Sequence, residues 1–122
     1  LSKIIISDSL DLIGESVFNK CTSLVEIDIP NSVKKIEKFA FNECSSLQKI
    51  KFSSSITSIG ESSFSQCSSL EQIEIPSSIN SICSSAFAGC SSLKEVSLPS
   101  SYIYIGNSAF PRKAQIIKRN NT

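Results

Sequence analysis

Apolar residues recur along this chain at a step of 23, without insertion or deletion. Leu1, Leu24, Leu47, Leu70 and Leu93 form one column, Ile4, Ile27, Ile50, Ile73 and Val96 a second, and Ile6, Ile29, Phe52, Ile75 and Leu98 a third. Leu10, Val33, Ile56, Ile79 and Tyr102 follow, then Ile13, Ile36, Ile59, Ile82 and Ile105, then Phe18, Phe41, Phe64, Phe87 and Phe110. Self-similarity of this length marks a stack of repeated units, each too thin to bury its apolar side alone.

The spacing inside a unit predicts its path. Ile27 and Ile29 alternate with Glu26 and Asp28, the period-two pattern of a short strand with one buried face. Pro30, Pro76 and Pro99 end that strand, because proline cannot donate the next ladder bond. Ser9, Ser32, Ser55, Ser78 and Ser101 fill the bend, where a hydroxyl is able to satisfy an unpaired main-chain group. Val33 and Ile36 point inward from the next extended segment, and Gly14, Gly60 and Gly106 mark its end. Ala40, Phe41 and Cys44, at i, i+1 and i+4, predict one short helical turn. The expected fold class is thus an α/β repeat, with short parallel strands on one face and helical turns and extended segments on the other. Five units occupy residues 1–115, and residues 116–122 are a partial repeat or a tail. The run from Ala114 to Lys118 predicts a shortened final strand through Ile117, with two residues dropped before it.

Leu24-x-x-Ile27-x-Ile29 resembles the strand signature L-x-x-L-x-L of leucine-rich repeats. Cys44-Ser45-Ser46-Leu47-x-x-Ile50-x-Phe52 resembles the BspA-type leucine-rich repeat, as does the run from Cys67-Ser68-Ser69-Leu70 through Ile73, Ile75-Pro76, Ser78-Ile79 and Ile82 to Ala86-Phe87-x-x-Cys90. The resemblance covers residues 1 to about 115. It implies a right-handed leucine-rich-repeat solenoid and a surface-associated or secreted bacterial or protist protein. It also implies adhesion or host interaction through a protein or glycan ligand, rather than an enzyme. The chain departs from the general signature in carrying serine where Asn or Cys is usual. It departs again at the end, where Lys113 replaces the column's cysteine and Arg119 falls where a strand isoleucine is due. The pattern is already under way at Leu1, which reads as a piece of a longer array.

Composition narrows the chemistry. With 40% hydrophobic and 19% charged residues the chain reads as folded, and a net charge of +1 gives no general attraction for nucleic acid. No apolar run is long enough for direct insertion into a membrane. Histidine is absent, so the 28 serines have no imidazole to activate them and the commonest zinc ligand is missing. No phosphate-binding loop or nucleophile elbow occurs, so the chain implies no cofactor, metal or catalytic residue. Cys21, Cys44, Cys67 and Cys90 share one inward column and read as small buried hydrophobes. Stacked equivalents lie within disulfide distance, but their side chains project the same way, which argues against pairing. Cys83 stands in the Gly14, Glu37, Gly60 and Gly106 column, closer to the surface, as the candidate reactive thiol.

Charges on the exposed strand positions alternate between repeats, so each acid is expected beside a base on the next strand. Glu26, Asp28, Lys49, Lys51, Gln72, Glu74, Lys94 and Glu95 form the candidate binding face. Alternatives are a structural spacer or an intracellular protein–protein adaptor, the latter suited to reduced thiols in the cytoplasm. Uncapped ends also suggest end-to-end self-association. Arg112, Lys113, Lys118 and Arg119 concentrate positive charge near the end, and Asn120-Asn121-Thr122 is a lone glycosylation sequon. Tyr102, Ile103 and Tyr104 form either a contact patch or a surface covered by the C-terminal segment.

Overall fold

The computed structural model describes residues 3–119; Leu1 and the Asn120-Asn121-Thr122 sequon lie outside the described residues. The strands follow one another as β1 (Lys3–Ile4), β2 (Leu12–Ile13), β3 (Glu26–Asp28), β4 (Lys35–Ile36), β5 (Lys49–Lys51), β6 (Ser58–Ile59), β7 (Gln72–Glu74), β8 (Ser81–Ile82), β9 (Glu95–Leu98), β10 (Tyr104–Ile105) and β11 (Gln115–Lys118). All pairings are parallel, odd strand to odd and even to even. Ile27 lies beside Ile50, and Ile13, Ile36, Ile59, Ile82 and Ile105 form one row. The 23-residue step of the sequence is therefore one coil of a parallel solenoid of about five turns.

Proline both ends a strand and opens the bend that follows. The Val33 N–H bonds the Pro30 C=O at 3.0 Å, and the Ile79 N–H bonds the Pro76 C=O at 3.2 Å. The serine column at this bend behaves unevenly. Ser78 Oγ bonds the Ile56 C=O of the preceding coil at 2.5 Å, whereas Ser32 Oγ is buried without a partner. The residue that should supply the acceptor for Ser32 is Leu10, which sits in the first coil and is 43% exposed.

The predicted helical turn does not form; among the described residues there is no helix. Its place is taken by chains of β-turns. In the run from Gly60, the N–H groups of Ser63, Ser65 and Cys67 bond the carbonyls of Gly60, Ser62 and Phe64 in their own coil. The intervening N–H groups of Ser62, Phe64 and Gln66 bond Ser84, Ala86 and Ala88 of the next coil at 2.8–3.2 Å. A helix sends all its N–H groups along its own axis, so it could not knit the coils together in this way. Positive φ at Ser16 and Lys20, Phe39 and Glu43, Ser62 and Gln66, and Ser85 and Gly89 meets the demand of a type II turn at its third residue. The spacing did identify the inward side, since Ala40, Phe41 and Cys44 are all fully buried. Over so short a run it could not distinguish a helix from consecutive turns.

The phenylalanine column becomes a stacked ladder. Successive ring centroids from Phe18 to Phe110 lie 5.2, 5.0, 5.2 and 5.5 Å apart, with planes inclined by no more than 19°. Phe41, Phe64 and Phe87 are fully buried, each contributing roughly 1.5–3 kcal/mol of transfer free energy. Phe18 and Phe110, in the first and last coils, are only half-buried.

At the C-terminal end β11 pairs with β9, but Gln115 lies beside Glu95, a step of 20. Three residues are dropped rather than two, and Ile116 rather than Ile117 falls beside Val96. A bond from the Ala114 N–H to the Pro111 C=O closes this tighter connection. Tyr102 leaves the core and is 85% exposed, while Ile103 packs inward. Because β11 extends the odd-strand sheet, it does not cover Tyr102 or Tyr104.

Candidate functional site

Strand alternation sends Ile27, Ile73 and Val96 into the core, with Ile50 half-buried beside them, and leaves the neighbouring positions on the open side. Glu26 and Asp28 on β3, Lys49 and Lys51 on β5, Gln72 and Glu74 on β7 and Glu95 on β9 are thereby brought together along one open groove of about 950 Å³. Lys94 is not brought in: it precedes β9, outside the lining, where its main chain bridges Glu71 and Gln115. The lining also includes Gln48, Ser69, Glu71, Ser92 and Ser97, which strand alternation alone did not single out. A signal for three of them existed. Gln48 and Glu71 share the Lys94 column, one residue ahead of the strand, and Ser97 continues the Asp28, Lys51 and Glu74 column.

On β3 and β5 the acids lie beside bases as expected, but no ion pair joins them. The register places Glu26 beside Lys49 and Asp28 beside Lys51, yet the one ion pair among the described residues joins Lys3 Nζ to Glu26 Oε2 at 3.9 Å. These side chains project into water, where pairing gains at most about 1 kcal/mol and costs side-chain entropy. The groove consequently carries five carboxylates and two ammonium groups, a charge of −3 in a chain whose total is +1.

The cysteine column forms a second periodic structure inside the core. Cys44, Cys67 and Cys90 each donate Sγ–H to the carbonyl of Phe18, Phe41 and Phe64, at 3.2, 3.3 and 3.1 Å. All five cysteines are free thiols. Burial pushes the Cys44 pKa up to about 11. The neighbouring Cys90 thiol and burial raise the Cys67 pKa, whereas Cys67 lowers that of Cys90. Cys44 and Cys67, held protonated in this way, are structural donors rather than nucleophiles. Cys83 and Cys21 are half-buried. Among the described residues no three His, Cys, Asp or Glu side chains are placed to hold a metal ion.

Parallel 23-residue coils with alternating strands and bends define a leucine-rich-repeat solenoid. The chain belongs to the BspA type leucine rich repeat region family, whose repeat matches six times over residues 1–117. It is similar to the crystal structure of a leucine rich cell surface protein from Faecalibacterium prausnitzii, with 36% identity and a TM-score of 0.91 over 98% of this chain and 32% of that one. It is also similar to the leucine rich repeat protein of T. pallidum, with 31% identity and a TM-score of 0.87 over 94% of this chain and 56% of that one. A leucine-rich repeat protein from Bacteroides ovatus aligns at 26% identity with a TM-score of 0.72, over 98% of this chain and 43% of that one. The chain thus spans from about a third to just over half of these proteins. No curated protein matches it.

Proposed function

We infer that this chain is a non-enzymatic protein-interaction module, belonging to a surface or secreted protein, that binds its partner through the odd-strand face. The observation that carries the reading is the groove, in which seven of the eight expected side chains, drawn from four successive coils, are gathered on one side of the solenoid. Repeat solenoids offer extended surfaces of this kind, and the F. prausnitzii relative is named as a cell surface protein. A protein ligand is favoured over a glycan, because no aromatic ring lines the groove to stack against a sugar. The role is adhesion or host interaction, as expected from the repeat.

The reading is tested by coating beads with the protein and measuring their adhesion to immobilised host matrix proteins. The charge-conserving exchange Lys51→Glu with Glu74→Lys should lower adhesion, while Lys38→Glu with Glu43→Lys, on the turn side, should leave it unchanged. Indifference to the first exchange would overturn the reading and favour a spacer. A second reading has one specific observation behind it. Five free thiols suit a reducing compartment, where the same face would serve an intracellular adaptor.

A further inference from the structure

The odd-strand sheet is interrupted beneath the groove. Its strands form two separate ladders, β1-β3-β5 and β7-β9-β11, whereas β2, β4, β6, β8 and β10 form one continuous sheet. No strand pairing joins β5 to β7. The neighbouring ladders show which groups are left over. The Ile29 N–H bonds the Lys51 C=O, and the N–H groups of Lys94 and Ile75 bond the Glu71 and Ser97 carbonyls respectively. Successive residues of a strand direct their main-chain groups to alternate neighbours. Those of Ile50, Gln72 and Glu74 therefore face the seam. The sequence supplies a cause, since β5 runs into Phe52 where the other coils carry Ile6, Ile29, Ile75 and Leu98. That ring is braced edge-on against Phe64, at 5.9 Å and 85°, and an oversized residue displaces backbone more readily than it compresses a packed core.

We propose that the groove over the β5–β7 seam docks an extended, arginine-bearing segment of a partner protein. This rests on the reading that the odd-strand face is the binding surface, and specifies what that face selects. The charge of −3 attracts a cationic segment, and most of the groove's carboxylates are unengaged by any base of the chain. The half-buried Ile50 and the Ile73 beside it add an apolar floor for the aliphatic part of the side chain. The open carbonyls suit a guanidinium, whose planar fork donates to two acceptors at once. The chain makes a related contact at its own end, where the Ser97 carbonyl accepts the Ile75 N–H as well. Arg119 spans β9 and β7 there, donating from Nη1 to the Ser97 carbonyl and hydroxyl at 3.1 and 2.9 Å and from Nη2 to the Ile75 carbonyl at 2.6 Å.

The test uses fluorescent peptides of about eight residues, long enough to cross four strands spaced about 4.8 Å apart. One alternates Arg with Ser, and the other replaces each Arg by Glu. The Arg peptide should bind at least about tenfold more tightly, and more weakly as salt rises. Glu71→Lys with Glu74→Lys should abolish the preference, whereas Glu43→Lys with Glu61→Lys on the turn side should keep it. Phe52→Ile should restore pairing, read as slowed amide exchange at Gln72 and Glu74, and lower the affinity for the Arg peptide. Phe52→Leu serves where the first variant melts early. Equal binding of both peptides, or amides at Gln72 and Glu74 already protected in the parent chain, would overturn the proposal. If bead adhesion stays sensitive to Lys51 and Glu74 while the Arg peptide fails to bind, this inference falls and the reading of the face survives. Loss of both defeats both.

Discussion

The even-strand and odd-strand sheets are products of the same repeat, yet the first runs unbroken through five coils and the second opens between β5 and β7. The even-strand row is isoleucine in all five coils, and identical residues stacked in register repeat one geometry without conflict. The odd-strand row breaks beside its one departure in size, Phe52. Coils interact only with their neighbours, so such a conflict stays local. The turn side holds the same two coils together where the front does not, with the Phe64 N–H bonded to the Ala86 C=O at 2.8 Å and the Phe64 and Phe87 rings stacked. A solenoid can therefore open a seam on one side while remaining closed on the others.

Phe64 is the residue on which that difference turns, since it belongs to the stacked ladder and also braces Phe52. Truncation to Ala should cost about 3–5 kcal/mol by denaturant titration, because one deletion removes both contacts and leaves a cavity at the centre of the stack. The same truncation at Phe110, half-buried in the last coil, should cost clearly less. Equal losses would show that the middle of the stack is no more cooperative than its end.

Gly60 provides the next largest lever. A Cβ there would lie 2.6 Å from the Ile36 oxygen and the Glu37 carbonyl carbon, main-chain atoms that cannot swing aside. Gly60→Ala should cost about 1–3 kcal/mol. At Gly14, in the first coil, the nearest atom would be a Val17 methyl at 3.3 Å. Gly14→Ala should accordingly be tolerated, and thermal melts of the two variants check the contrast.

These residues also show how far the sequence could be read. The column spacing contained the coil, the parallel register and the buried phenylalanines, because a 23-residue period admits few other ways of covering so many apolar side chains. It did not contain the turn ladder: the alternation of N–H groups between coil and neighbour leaves the same inward spacing as a helical turn. Nor did it contain the seam. Phe52 is apolar and in register, and only its volume, acting on a strand of three residues, distinguishes it from Ile29 or Ile75. For the groove, alternation was enough to gather seven of the eight proposed residues. Lys94 stays outside the lining although Gln48 and Glu71, at the equivalent positions ahead of their strands, lie within it, a difference that residue spacing does not contain. The missing ion pairs depended on solvation, which residue spacing does not encode.

The thiol ladder allows a milder test of the closed side. The Cys44 pKa is raised to about 11 from its ordinary value of 9.0, chiefly by burial, so the fold favours the protonated thiol. That contribution is complete below pH 9 and is lost as pH rises through 9 towards 11. Cys67 is shifted the same way and its neighbour Cys90 the opposite way, so the sign rests on Cys44. Melting temperature should therefore fall between about pH 8.5 and about 11. Cys44→Ala, although less stable at neutral pH, should fall less steeply over that range. Parallel slopes would mean that the buried column does not set the alkaline limit.

Phe39 offers the smallest and most informative change. It occupies φ +59 in a column that is otherwise Ser16, Ser62, Ser85 and Ser108, and it is 37% exposed. A left-handed conformation costs an ordinary residue roughly 1–2 kcal/mol, while Asn enters it more readily. Its N–H is committed to the Glu61 C=O at 3.0 Å, so the conformation persists whatever the side chain. Phe39→Asn should thus raise stability by up to about 1 kcal/mol, the relief of strain exceeding the loss of a partly exposed ring. Phe39→Gly should gain less, because glycine also loosens the unfolded chain. A loss on Phe39→Asn would mean that the ring's packing outweighs the strain. A gain would place the two sides of the coil in opposite relations to their sequence. On the turn side the hydrogen-bonded backbone imposes its conformation on whichever residue arrives, whereas at the seam one oversized residue, Phe52, decides where the backbone can go.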